Sequence, residues 1–378
     1  MKKHIIKDYV SQNKEELYKM LKELCGIPAP SNFEQRRAVY CKKWLEDMGA
    51  KGVYIDEALN VIFPLNCEGS DEITVFVAHT DTVFPDTEPM PYFDDGERIH
   101  SPGVADDTAS VVVLLMMAKF FVENKLSPKK GIMFVCNSCE EGLGNLKGTR
   151  QLFKDYEGRI GRFISFDSNI NVVNDRCVGS HRYEVEVLTE GGHSYGAFGN
   201  NNAIAKLSEM VAEIYKIQVP DKTGTRTTYN VGTISGGTSV NTIAQNAKML
   251  CEYRSDDKEC LEVMQNKFEN IFESAQSEKV QVNVKKVGDR PCGNVEAEKI
   301  DALKDVIVPV IEAVIGEKVS FKSSSTDCNI PLSLGVPAIC VGVNKYEGMH
   351  TREEWVDKAS ISTGLEVAIK LGKALTEV

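Results

Sequence analysis

Two histidines and a group of carboxylates in this 378-residue chain stand at the ends of short apolar runs. Imidazole with carboxylate is a donor set for divalent metal ions. His79 and Asp81 follow Ile73-Thr-Val-Phe-Val-Ala78, and Glu140 and Glu141 follow Ile132-Met-Phe-Val-Cys136. Asp167 follows Phe163-Ile-Ser-Phe166, and His350 lies in the loop beyond Ala338-Ile-Cys-Val-Gly-Val343. Two residues apart in extended geometry, His79 and Asp81 point to one face, so His79 can bind a metal while Asp81 holds its other ring nitrogen. Standing alone, the pair would equally suit a solvated loop. In Ser101-Pro-Gly-Val-Ala-Asp106-Asp107-Thr-Ala-Ser110, Asp107 has the place of a helix N-cap. Asp106 is the better ligand candidate, because Gly103 and Ala105 leave room for close approach of a ligand or metal. Adjacent glutamates at a strand end can face different ways, one toward a metal and the other toward a water.

The runs that must position these groups have the length and β-branched content of buried strands, and in open α/β sheets ligands bind beyond the carboxyl ends of the strands. Helical periodicity over Asn13–Cys25 stops at Gly26, and a second helix over Asn32–Met48 ends at Gly49. Strands and helices then alternate to about Val178, which predicts a mixed, mainly parallel sheet with helices on both faces. From about His181 the rhythm changes. Tyr183–Leu188, Asn202–Ile217, Tyr229–Ile234, Lys248–Tyr253, Lys258–Ser274 and Val280–Val287 read as β-α-β-β-α-β, the ferredoxin-like order. After Pro291 the α/β rhythm returns. The expected architecture is an α/β domain formed by residues 1–179 and 291–378, interrupted by a ferredoxin-like α+β domain at 180–290.

Composition narrows the function classes. A hydrophobic content of 42% suits a chain with a large core, and the net charge of -11 argues against nucleic acid or an anionic membrane surface as a partner. The longest apolar stretch, Val111–Val122, is too short to span a bilayer and is broken by Lys119. The N-terminus lacks a signal-peptide apolar region. Eleven scattered cysteines fit reduced thiols better than a disulfide framework, so the expected location is cytoplasmic. Cys136-Asn-Ser-Cys139 has redox spacing but lies in the approach to the glutamate pair, and Gly142-Leu-Gly144 with Gly148 imitates a dinucleotide loop whose preceding glutamates would repel a pyrophosphate. His4, His100 and His181 have no partner pattern.

Taken in order, His79-x-Asp81-x-Val83, Gly103-Val-Ala-Asp106-Asp107, Glu140-Glu141, Asp167 and His350 closely resemble the co-catalytic di-zinc exopeptidases that include peptidase T, glutamate carboxypeptidase, DapE-type desuccinylases and aminoacylase. The resemblance spans nearly the whole chain. It implies two zinc ions per subunit, with His79 and Asp167 on one, Glu141 and His350 on the other, and Asp106 bridging both. It further implies Glu140 as general base, Asp81 as the residue that orients His79, and a cis peptide between Asp106 and Asp107. Three carboxylates and a hydroxide would nearly neutralise two such ions.

The same resemblance makes the inserted domain a lid and dimerisation domain. His193, in Gly191-Gly192-His193-Ser194, would stabilise the oxyanion, usually in the partner subunit's site. Asn241, in Ser239-Val-Asn241-Thr-Ile-Ala, and Arg254, in Cys251-Glu-Tyr-Arg254, would hold substrate. The arginine fork suits a terminal carboxylate, and its alternative is a structural ion pair. Ser101 and Thr108 depart from the glycine and lysine of many relatives, and neither change removes a ligand. The His-Thr-Asp-Thr wording, the Asp-Asp pair and an aspartate at 167 look most like the peptidase T side. The function implied is a homodimeric, zinc-dependent aminopeptidase acting on small peptides; a carboxypeptidase or N-acyl-amino-acid deacylase would use the same ligands on peptide or acylated amino-acid substrates. The rival from a different class is a non-catalytic dimeric binding protein, which would have no reason to retain Glu140.

Overall fold

The computed structural model describes residues 2–377; the side chains of residues 2–4, and so of His4, and of Leu143 lie outside those described. The chain forms two compact units, one running to Cys177 and resuming at Asn294, the other Val178–Gly293.

In the first unit the apolar runs become strands because each can bury both faces. Ile73–His79 is buried at every position, and its side chains alternate between two cores: Phe76 and Ala78 face one, Val75 and Val77 the other. The first core is filled by the helices Lys14–Cys25, Gln35–Asp47, Ala109–Glu123 and Lys358–Leu375; the second by Leu146, Leu152 and Phe153 with Ile330 and Leu332. Helices therefore cover both faces of an eight-stranded mixed sheet. From one edge the strands run Tyr54–Ile55, Val61–Leu65, Ile132–Asn137, Ile73–His79, Ile160–Ser165, Ala338–Val341, Val172–Cys177 and Ser320–Ser324. The four central strands are mutually parallel, so the chain ends of all four open on the same side. Ala109–Glu123 is apolar around almost its whole circumference because it lies inside this unit, against the sheet and the C-terminal helix. One helix escapes the sequence reading, Lys2–Gln12, whose Ile6 and Tyr9 join the first core.

A small antiparallel sheet sits in the same unit. It comprises Tyr346–Glu347, Trp355–Asp357, Arg98–His100 and Phe93–Asp94, and the hairpin that opens it carries His350 at its turn.

The second unit is a four-stranded antiparallel sheet in the order Thr227–Gly236, Asn246–Ser255, Gly179–Thr189, Val280–Arg290. Helices Ala203–Ile214 and Lys258–Ser274 bury Leu207, Met210, Met264 and Phe268 against its apolar side. Asn202 and Asp257 cap their amino ends with side-chain hydrogen bonds. Among the described residues, no helix is long and apolar enough to cross a membrane.

Candidate metal and active site

The parallel strand ends bring together the groups singled out by their spacing. His79 is the last residue of its strand and is buried, with Nε2 3.0 Å from Asp106 Oδ1. Its other nitrogen, Nδ1, lies 3.0 Å from the Asp81 backbone carbonyl and 3.4 Å from Asp81 Oδ1. A carbonyl can only accept, so Nδ1 carries a proton, and Nε2 meets Asp106 either as the second N–H of an imidazolium or, with a cation between them, as a metal ligand. His350 approaches from the hairpin turn, with Nε2 3.0 Å from Asp106 Oδ2 and 3.2 Å from Glu141 Oε1. Asp106 thus presents one oxygen to each imidazole. Donor atoms of His79, Glu140 and Asp167 lie within 4.8 Å of one another, as do those of His79, Asp106 and Glu141.

The charges are concentrated enough to oppose one another. Burial, then the charge of Asp106, pushes Glu141 up to about 8 and holds Asp167 well above the usual carboxylate range. Burial would also raise Asp106, but hydrogen bonds to His350 and His79 hold it below that range. Hydrogen bonds to Asp106 and Glu141 raise His350 to about 10. Two imidazoles and three carboxylates, with Asp106 between the imidazoles, fit a pair of divalent cations. Ligand atoms of one tetrahedral ion, each about 2 Å from it, lie about 3.3 Å apart, near the separations found between the imidazoles and Asp106.

A second group of side chains holds the ligand segments in place. Asp81 is fully buried and accepts from Ser31 Oγ at 2.6 Å and from the amides of Glu140 and Glu141 at 3.0 Å each, so it fixes the glutamate pair as much as it faces His79. Cys139, with φ of 58°, turns the chain left-handed just before that pair. Glu34 Oε1 accepts from the Cys139 amide at 3.0 Å. Arg37 lies buried beneath the site, donating to the carbonyls of Ile27 and Thr80 and to Thr108 Oγ1. Asp327 accepts from Asn137 Nδ2 at 2.6 Å and from the Thr149 hydroxyl. Glu354 accepts from the amides of Gly103, Ala105 and Asp106. None of Ser31, Glu34, Arg37, Asp327 and Glu354 stands out in the sequence, because each is a polar residue whose burial is decided by tertiary packing.

Two expectations about the aspartate turn change. The space at Gly103 is taken by Thr82, whose Cγ2 would lie 2.5 Å from an added Cβ, so the glycine serves backbone packing rather than access of a ligand. Asp107, expected to cap a helix, accepts the His79 amide at 3.1 Å through Oδ2. The Asp106–Asp107 peptide is cis.

A model of peptidase family M20/M25/M40 matches residues 75–373, which hold every one of these metal-ligand candidates. The chain belongs to that family. As a family member it is a metal-dependent hydrolase of the metallopeptidase type. It is 21% identical over 367 residues to the succinyl-diaminopimelate desuccinylase of Corynebacterium glutamicum, with 95% of each chain covered. Its fold matches aminopeptidase PepT from Bacillus cereus (TM-score 0.74, 21% identity, covering 95% of this chain and 98% of that one). It also matches a tripeptidase from Staphylococcus aureus (TM-score 0.77, 20% identity, 97% and 99%).

The candidates in the second unit of this family member fall into two places. His193 and Asn241 are neighbours: His193 pairs with Thr242 in a short ladder, and the Ser194 amide donates to the Asn241 carbonyl at 2.9 Å. The exposed His193 ring accepts from the amides of Tyr195 and Gly196 at Nδ1, 3.2 and 3.3 Å away, which leaves its proton on Nε2. Arg254 lies near the far end of Asn246–Ser255, beside Ser180. Its Nε and Nη2 grip Glu252 at 2.8 and 3.0 Å, the ion-pair geometry named above as its alternative. His100 meets Asp95 at 3.1 Å, and His181 meets the Tyr253 hydroxyl at 2.6 Å. All eleven cysteines are buried.

Proposed function

We propose that this chain is a cytoplasmic, homodimeric di-zinc exopeptidase that releases residues from small peptides in the manner of peptidase T. The observation that carries the reading is the convergence of His79, Asp106, Glu141, Asp167 and His350 beside Glu140 at the carboxyl ends of parallel strands. His79 and Asp167 would hold one ion, Glu141 and His350 the other, and Asp106 both. Two zinc ions held there would supply Lewis acidity and lower the pKa of a bound water. Glu140 takes a proton from the attacking water on its carboxylate and returns it to the leaving nitrogen. Asp81 and Ser31 keep Glu140 and Glu141 in register by holding their backbone. His193, with its proton on Nε2, is suited to donate to the oxyanion across the dimer formed through the inserted lid domain. Asn241 contacts substrate, and Arg254 does so only by loosening its grip on Glu252.

A second reading, hydrolysis of an N-acyl amino acid, is supported by the full-length likeness to the Corynebacterium glutamicum enzyme. The test is a panel of dipeptides, tripeptides, amine-blocked peptides and N-acyl amino acids offered to zinc-loaded protein. Cleavage confined to free-amine peptides supports the aminopeptidase; cleavage confined to acylated amino acids replaces it with the deacylase. Inertness toward all of them would favour a binding protein.

A further inference from the structure

Four residues beyond His350, on the same hairpin, Glu354 is fully buried. Its Oε1 accepts from the amides of Ala105 at 2.8 Å and Asp106 at 3.0 Å, and its Oε2 from Gly103 at 3.1 Å. Its own carbonyl accepts from the Ser101 amide at 3.2 Å. One residue therefore binds the aspartate turn at four amides. A buried carboxylate is costly unless hydrogen bonds compensate it, and the three amides at its side chain offset part of that cost. A leucine at this place would fill similar volume without a charge to compensate, so packing alone does not account for a glutamate.

What sets this contact apart is the pair of segments it joins. The turn it grips carries Asp106, whose two oxygens face His79 and His350. The hairpin it belongs to carries His350, a half-exposed ligand candidate at a turn and with φ of 66°. The turn is closed by the Thr351 amide and hydroxyl on the Gly348 carbonyl and anchored by Arg352 on Asp86, and the clamp four residues on adds the tie between this hairpin and the aspartate turn. We propose that Glu354 is a positioning residue for the metal pair: it sets the separation of Asp106 and His350, and through it the affinity for the ion those two share. The inference rests on the di-metal reading given above.

Outer partners of metal ligands are typically worth about 10–100-fold in metal affinity. Glu354→Gln keeps the volume and one acceptor but turns an NH2 toward backbone amides, and Glu354→Ala removes every side-chain contact. Metal-free wild type and variants are titrated with zinc against a chromophoric chelator, and the cobalt-loaded proteins are compared by visible absorption. Wild type should take up two ions. Glu354→Gln should keep one at wild-type affinity and bind the other about 10–100-fold more weakly, with an altered cobalt spectrum. Turnover should recover in excess metal while KM stays within about threefold. A folded Glu354→Gln protein that binds both ions within threefold of wild type, with only a lowered unfolding temperature in the metal-free state, would show a merely structural role and overturn the inference. Should Glu354→Ala fail to fold, the Gln variant decides. A wild-type chain that takes up no metal removes the di-metal reading itself, and the inference with it.

Discussion

Asp81→Asn probes the group that ties the His79 strand end to the glutamate pair. The carboxylate accepts the Ser31 hydroxyl at 2.6 Å and two amides at 3.0 Å, one on each oxygen. An asparagine has one acceptor, so in either orientation its NH2 meets a backbone N–H. The less costly orientation keeps the oxygen on the Glu140 amide and lets Ser31 reverse its hydroxyl, leaving the Glu141 amide buried and unpaired. That removes a charge-assisted hydrogen bond of about 1.5–3 kcal/mol and strands a donor at about 1–3 kcal/mol, and the lower part of that sum is about 3 kcal/mol. For a domain of this size each kcal/mol moves Tm by about 2–4 °C, so the variant should melt about 6–12 °C lower. His79 should keep its tautomer, because Nδ1–H is held by the Asp81 carbonyl, which the substitution leaves in place. Metal loss should therefore fall on the ion assigned to Glu141 and His350. Thermal unfolding by circular dichroism, with metal content of the folded protein, tests this. A Tm within 2 °C of wild type together with two retained ions would refute the claim that Asp81 fixes the glutamate pair.

Glu140→Gln should retain both metals and lose about 10²–10⁴ in turnover, whereas Glu141→Ala should lose metal; equal metal loss in the two variants would show the roles to be misassigned. Chelation should destabilise the protein, since an ion present at 100 times its Kd contributes about 2.7 kcal/mol, and an unfolding temperature indifferent to chelator would count against a resident metal. Glu140→Ala and His193→Ala homodimers, each nearly inactive, should regain about a quarter of wild-type activity when their subunits exchange, because half the dimers are mixed and each has one intact site. No recovery would place His193 in its own subunit's site.

The sequence makes the strand-end donors visible for a physical reason. Strands buried on both faces read as unbroken apolar runs, so the polar residues that end them, His79, Glu140-Glu141 and Asp167, stand out against that background. Where burial is decided by a few side chains at an edge, the signal vanishes. Glu353-Glu354 looks like a charged surface pair, yet Glu353 is exposed and Glu354 buried. Arg36-Arg37 lies in a charge-rich helix, and only the converging carbonyls of Ile27 and Thr80 draw Arg37 inward. Lys2–Gln12 has too few apolar positions to announce a helix before Tyr9 is seen donating to the Met116 carbonyl. Arg254 shows the opposite limit: its residue type permits carboxylate recognition, but the fold has already given it Glu252.

Hydrogen-bond supply then sorts the buried acids where residue type cannot. Asp81, Glu34 and Glu354 each receive at least two backbone amides, which oppose the effect of burial: Asp81 ends below the ordinary carboxylate range, whereas burial still raises Glu34 and pushes Glu354 up to about 7. Among the described residues, no backbone amide reaches the side-chain oxygens of Asp106, Glu141 or Asp167. Asp106 and Glu141 face imidazoles, and Glu141 and Asp167 each face the charge of Asp106. Carboxylates left in that state in a dry site need protons or metal ions for neutralisation. The amide-bound acids hold the loops that aim the others, so the repulsion among ligands does not spread them apart before the ions arrive.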